Sequence, residues 1–182
     1  MSDLRVGDYV EARTDWLPDH AVEIEEPWRS KIEEAAQHGY REVQVPRVWT
    51  EELAALLGYL VAEGTCTGQY MVQFTNGDLE TREHFAALCE SVLGKQASFG
   101  NNIDVRLSGM AARGVLEALG LGRSTAKDKC VPESLWRAPR SAVSAFLRAY
   151  FEGDGTAAVE RRARTPRAQP KPTVACYSVS LR

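Results

Sequence analysis

The feature that most limits how this chain can fold is a short segment that occurs twice. Displaced by 91 positions, Leu56–Thr65 (LLGYLVAEGT) falls on Leu147–Thr156 (LRAYFEGDGT). Leucine, tyrosine, glycine and threonine coincide at Leu56/Leu147, Tyr59/Tyr150, Gly64/Gly155 and Thr65/Thr156, and Glu63 falls on Asp154. Gly58 falls on Ala149 and Ala62 on Gly153, so small residues recur together. Leu60 against Phe151 keeps an apolar site, whereas Leu57 against Arg148 and Val61 against Glu152 do not. A core helix with a solvated acidic end and a glycine stop would explain either segment alone. It does not explain two copies agreeing in small residues, carboxylate and trailing glycine. Small residues every fourth position let one helix lie close against another, so the pair implies two apposed helices with acids at their ends.

Around this pair the first copy reads clearly. Thr50 is a good N-cap for a helix in which Leu53, Leu56, Leu57, Leu60 and Val61 form one apolar stripe and which Gly64 ends. Gln69 to Thr75 (QYMVQFT) alternates as a strand, with Tyr70, Val72 and Phe74 as its core face. Asn76-Gly77 is a turn, and Asp78 caps a helix through Leu93 with Phe85, Leu88, Cys89 and Val92 inward. Strands over 96–99 and 103–107 follow, then a helix from Gly109 to Leu119 stopped at Gly120. The order is helix, hairpin with an obscure first strand, helix, hairpin, helix, an α+β arrangement. Upstream, Arg5 to Ala12 alternates like a strand, Pro27 to His38 reads as a short helix and Tyr40 to Val48 as extended chain.

With 44% hydrophobic and 26% charged residues, the chain has ordinary globular composition rather than that of a disordered one. No apolar run approaches the roughly 20 residues of a membrane span, and the N-terminal stretch lacks a signal-peptide core. We therefore expect no membrane partner and a cytoplasmic location. The four cysteines form no C-x-x-C pair, so reduced thiols are expected rather than zinc. The net charge of −3 hides an asymmetry. Residues 160–182 carry six Lys/Arg against one acid, hence +5, and the rest of the chain −8. A local basic surface matters more for phosphate binding than the total.

Each repeat copy resembles the LAGLIDADG motif of homing endonucleases, whose helices form a pseudo-dyad interface and whose penultimate acid binds metal. The stretch KCVPESLWRAPRSAVSAFLRAYFEGDG from Lys129 resembles that family's linker, in which a lysine three residues before a proline precedes the second motif helix. DLRVGDYV at Asp3 to Val10 resembles the strand-turn by which an intein splicing domain leads into an inserted endonuclease. The resemblance implies the LAGLIDADG homing-endonuclease fold, with an αββαββα half-domain followed by an incomplete second one. Residues 1–49 would be an intein-like lead-in, 50–139 the first half-domain and linker, and 140–182 a truncated second half-domain.

The implied function is a sequence-specific double-stranded DNA endonuclease of intein origin. Phosphodiester hydrolysis needs an activated water and neutralisation of developing charge, which Mg²⁺ (or Mn²⁺) on hard carboxylate oxygens supplies. Acids clustered at the electronegative ends of helices are unfavourable without a cation. The implied catalytic residues are Glu63, Asp154 and Lys129, with Lys127 an alternative to the lysine. Gly64 and Gly153 join the acids in the metal site, and Gly58, Ala62, Ala149 and Gly153 form the helix interface. Strand residues Gln69, Gln73 and Thr75, with Arg106 and Asn101–Asn102 behind them, would face the major groove. Tyr177 to Leu181 (YSVSL) looks like the second-copy counterpart of Tyr70 to Phe74. The basic, proline-rich insertion before it would grip phosphates through Arg161, Arg162, Arg164, Arg167 and Lys171.

The chain departs from the family in its second copy, which lacks a counterpart of residues 77–120. Met1 is no splicing nucleophile and no terminal His-Asn pair exists, so the chain alone should not splice. A complementary intein or endonuclease fragment is therefore a candidate partner beside double-stranded DNA. Two other readings stand open: a catalytically inactive DNA-binding or RNA-binding, maturase-like module, and an interaction fragment without nucleic-acid affinity.

Overall fold

A computed structural model of the chain describes residues 17–25, 28–37, 43–44, 46–66, 70–121, 129–160 and 171–176. It is an α+β structure. Helix α1 (Trp28–Gln37) precedes α2 (Glu51–Glu63), β1 (Gly64–Thr65), β2 (Met71–Thr75), α3 (Leu79–Leu93), β3 (Ser98–Phe99), β4 (Asp104–Ser108) and α4 (Met110–Ala118). A short 3-10 helix (Glu133–Arg137) leads into α5 (Arg140–Asp154), β5 (Gly155–Glu160) and β6 (Lys171–Cys176). From α2 to α4 this is the helix, hairpin, helix, hairpin, helix order read from the sequence, and β1 supplies the strand that alternation leaves obscure.

Local chemistry sets the boundaries. The Thr50 hydroxyl accepts from the Leu53 N–H at 3.1 Å, and an Asp78 carboxylate oxygen from the Thr81 N–H at 2.8 Å, so α2 and α3 each start on a side-chain cap. These bonds hold the Asp78 carboxyl below its ordinary range. Gly94 ends α3 at φ 63°, a left-handed position that glycine occupies without a Cβ clash.

Strands β1, β2, β4 and β3, in that order, form an antiparallel sheet, with Gln73 opposite Arg106 and Thr75 opposite Asp104. Val72, Phe74, Val105 and Leu107 face inward onto α2 and α3, while Gln73, Thr75, Asp104 and Arg106 lie on the other face. Helix α2 is the centre of the core, buried without interruption from Leu53 to Ala62. Each of its four leucines contributes roughly 1.5–3 kcal/mol of apolar burial. Ile24, Ile32 and Trp49 join the same core, and α1 packs on α4. Among the described residues no helix is long and apolar enough to cross a membrane.

Several expectations need correction or restriction. Tyr70, expected on the core face of its strand, is 51% exposed, because β2 begins only at Met71. A strand at Lys171–Cys176, β6, pairs with β5, while residues 177–181, expected as the counterpart of Tyr70 to Phe74, lie outside the described residues. Gly155 pairs with Cys176 as Gly64 pairs with Phe74, so the counterpart of Phe74 is Cys176. The tyrosine match misleads because alternation alone does not fix register. Pairing from Gly155 onward does, and it admits Pro172 near the strand's start. Lys171 opens β6. The expected strand at 5–12, and Gln69, Lys127, Arg161, Arg162, Arg164 and Arg167, lie outside the described residues.

Candidate functional site

The two repeat helices lie against each other along their length. A Cβ built on Gly58 would run into the Phe146 carbonyl oxygen and stand 3.1 Å from the Ala149 Cβ. One built on Gly153 would stand 2.6 Å from the Ala62 Cβ and 3.2 Å from Glu63 Cγ. Backbone therefore meets backbone where glycine leaves room, and Gly58, Ala62, Ala149 and Gly153 are the interface read from the sequence. The contacts pair Gly58 with Ala149 and Ala62 with Gly153, so the helices run parallel and their C-terminal ends meet. Glu63 and Asp154 are those ends.

Burial raises the affinity of both carboxyls for a proton, and the Asp154 charge raises Glu63 further. Lys129 works against both shifts. Its ammonium donates to the Ala62 carbonyl oxygen at 3.1 Å, one of the open carbonyls at the end of α2. Burial lowers the lysine's own proton affinity while Asp154, Glu63 and Cys66 oppose that change. The three residues expected to act together thus feel one another electrostatically, although 66 residues separate Glu63 from Lys129 and 25 separate Lys129 from Asp154.

This donor set fits a hard divalent cation. Two carboxylates made costly by burial and mutual repulsion stand at helix ends whose dipoles add negative potential. Glu63 and Asp154 would hold the ion, helped by the neighbouring Gly64 and Gly153 backbone. Among the described residues no group of three or more His, Cys, Asp or Glu side chains is placed to hold a metal, so remaining ligands would be backbone oxygens, waters or substrate.

The outer face of the sheet carries a linked polar row. Thr75 Oγ1 donates to Asp104 Oδ1 at 2.9 Å, Gln73 Nε2 to Thr75 Oγ1 at 3.4 Å, and Arg106 Nη2 lies 3.4 Å from Asp104 Oδ2. Arg106 Nε is buried without a hydrogen-bond partner. Asp104, which sequence reasoning passes over, orients this arginine; only its place opposite Thr75 could have revealed it. Asn101 and Asn102 are exposed in the turn between β3 and β4.

Sequence reading also misses two other anchors. Arg113, 3% exposed on α4, donates to the Cys66 carbonyl at 3.0 Å and pairs with Glu117 at 2.6 Å. It thereby ties the residue after β1 to α4. Tyr59, fully buried on α2, donates its hydroxyl to Glu152 Oε2 on α5 at 2.6 Å and lies 3.0 Å from His84 Nδ1 on α3. Burial and the Glu152 carboxylate push this phenol well above its ordinary value. Its recurrence at Tyr150 is the available signal, but its partner's position carries none.

No protein-family model matches the chain. It is similar to a replication factor C small subunit of Methanocaldococcus jannaschii, 34% identical over 114 residues, covering 59% of this chain and 6% of that protein. A DNA polymerase of Thermococcus kodakarensis is 30% identical over 122 residues, covering 63% of this chain and 7% of its own. The A subunit of DNA gyrase from Mycobacterium gordonae is 30% identical over 122 residues, covering 61% and 22% respectively. The chain thus spans a small part of each relative, and all three names speak of DNA or its replication.

Proposed function

We propose that this chain is a LAGLIDADG-type, divalent-metal-dependent endonuclease unit that cuts double-stranded DNA, carried as an inserted element of intein origin. The observation that carries the reading is the junction of α2 and α5. Pseudo-equivalent helices bring Glu63 and Asp154 to one place, and Lys129 joins them from the linker. Bound there, Mg²⁺ or Mn²⁺ would supply an activated water and stabilise the leaving oxygen. The chain's own residues do the rest. Glu63 and Asp154 set the position of the attacked phosphate, one for each strand. Lys129 holds a positive charge beside it, and the row of Gln73, Thr75 and Arg106 lies on the sheet face that would enter the groove.

The relatives support the insertion half of the reading. A replication factor, a polymerase and a gyrase are different proteins, yet each matches about 120 residues of this chain and over only a fraction of its own length. An element lodged in different hosts would give that pattern. The order α2-β1-β2-α3-β3-β4-α4 supports the half-domain assignment.

Supercoiled plasmid carrying the insertion site of such a host gene, incubated with the chain and Mg²⁺, should be nicked or linearised, and EDTA should stop it. The polar row of Gln73, Thr75 and Arg106, which offers hydrogen bonds to bases without any part in cutting, favours one alternative, a DNA-binding module without chemistry. Retention of the plasmid fragment without nicking, in Mg²⁺ or Mn²⁺, would establish that alternative.

A further inference from the structure

The strip of small residues between α2 and α5 does not by itself fix how the two helices align. Small residues recur every fourth position on both helices, at Ala54, Gly58 and Ala62 on one and Ala145, Ala149 and Gly153 on the other. Sliding α5 along α2 by one turn, about 5.4 Å, would again set small residue against small residue. Such a slip would also carry Asp154 about a turn away from Glu63. The outer face of α5 does little to prevent it, with Leu147 45% exposed and Tyr150 and Phe151 only half-buried.

One interaction across this interface does distinguish the registers. Tyr59, one turn before Glu63, donates to Glu152, two residues before Asp154, at 2.6 Å. The phenol is held in place by its ring against Phe74, centroids 5.4 Å apart, and by His84, edge-on at 5.6 Å and 3.0 Å from the hydroxyl. A one-turn slip would leave the buried hydroxyl without its carboxylate acceptor, and a polar contact beside a repeating small-residue strip is an established way to fix register. The repeat-equivalent of Glu152 is buried Val61, so this carboxylate is a feature of α5 alone. We infer that Tyr59 and Glu152 are positioning residues: their hydroxyl–carboxylate bond selects the register of α5 on α2 and so sets the separation of Glu63 and Asp154. The assignment of a role to that separation rests on the proposed nuclease function; the register selection itself does not.

Spin labels at Glu51→Cys and Ser144→Cys, both exposed, in the full chain with Cys130→Ser and Cys176→Ser, report the register directly. Tyr59→Phe should shift or broaden the distance distribution by up to about 5 Å. Glu152→Ala, at an exposed position that spares the core, should do the same, whereas Glu152→Gln keeps an acceptor and should retain the parent distribution. On plasmid carrying the cut site, Tyr59→Phe and Glu152→Ala should lower the rate at saturating DNA about 10- to 100-fold with DNA affinity unchanged, and Glu152→Gln should restore it. Parent-like distances in both Tyr59→Phe and Glu152→Ala would overturn the inference. A parent chain that neither cuts nor takes up metal would refute the nuclease reading instead, with the distances still deciding this one.

Discussion

Helices α2 and α5 carry the same motif in very different surroundings. Every residue of α2 from Leu53 to Ala62 is buried, whereas α5 buries only Ala142, Ala145, Phe146 and Ala149. Leu56 is fully buried and its counterpart Leu147 is 45% exposed. What both copies keep is the small-residue strip and the terminal acid. The motif therefore encodes a junction between two helices, and the core behind each helix is a separate matter. The first copy has that core, from the sheet, α3 and α4; among the described residues the second has only the β5–β6 pair.

The sharpest way to break this comparison is at the shared ends. If the two acids are equivalent in chemistry while unequal in packing, Glu63→Gln and Asp154→Asn should each suppress cutting of one strand by about 10³-fold, about 4 kcal/mol of barrier. DNA affinity should stay within about twofold of the parent's, since a single phosphate-side charge contributes little to the total. Strand-specific nicking on end-labelled duplex measures it, and full double-strand cutting by either variant would remove the assignment.

Packing should separate the copies next. Leu56→Ala leaves a cavity in a closed core and should cost about 2–5 kcal/mol in urea unfolding. Leu147→Ala should cost less than about 1 kcal/mol, because nearly half its surface already meets water. Equal losses would mean that α5 is covered in solution by something outside the described residues. Lys129→Met comes third, with cutting reduced about 10- to 100-fold and little change in melting temperature, since the lysine is half-exposed and bonds one carbonyl.

The smallest effect concerns charge. Burial and the Asp154 carboxylate raise the folded-state proton affinity of Glu63 above its unfolded value. Its contribution to stability is therefore full below the ordinary carboxyl range and is lost as pH rises through the raised folded-state value. Without divalent ion, Glu63→Gln should melt about 1–2 °C higher than the parent at neutral pH, a modest gain because the carboxylate is partly solvated. The gap should close on acidification below the carboxyl range and shrink when Mg²⁺ is added. Identical melting at every pH, by differential scanning fluorimetry, would show that Glu63 carries no such penalty.

Local signals made much of this legible in the sequence. Thr50 and Asp78 announce their helices because a cap is a contact over three residues, and the Leu53–Val61 stripe announces burial because its period is that of the helix. The meeting of the two acid-bearing helix ends was legible because the chain states the motif twice. Contacts between distant residues with no echo elsewhere were not legible. The bond from Tyr59 to Glu152 joins positions 93 apart, and Val61 stands where a second example would have been. The β6 strand escaped for a related reason: 171–176 (KPTVAC) carries no alternation of its own, and only the pairing of Gly155 with Cys176 sets its register.

The bond from Lys129 to the Ala62 carbonyl bears on how such a chain could be recombined. By sequence the lysine belongs to the run leading into α5, yet it is seated on the last turn of α2. A chimera joining the first half of one relative to the second half of another imports its lysine from the donor and must offer it the recipient's helix end. Crossovers placed between residues 122 and 128 would thus splice together two surfaces that were never matched, whereas a junction inside α5 would inherit lysine and receiving carbonyl as one unit.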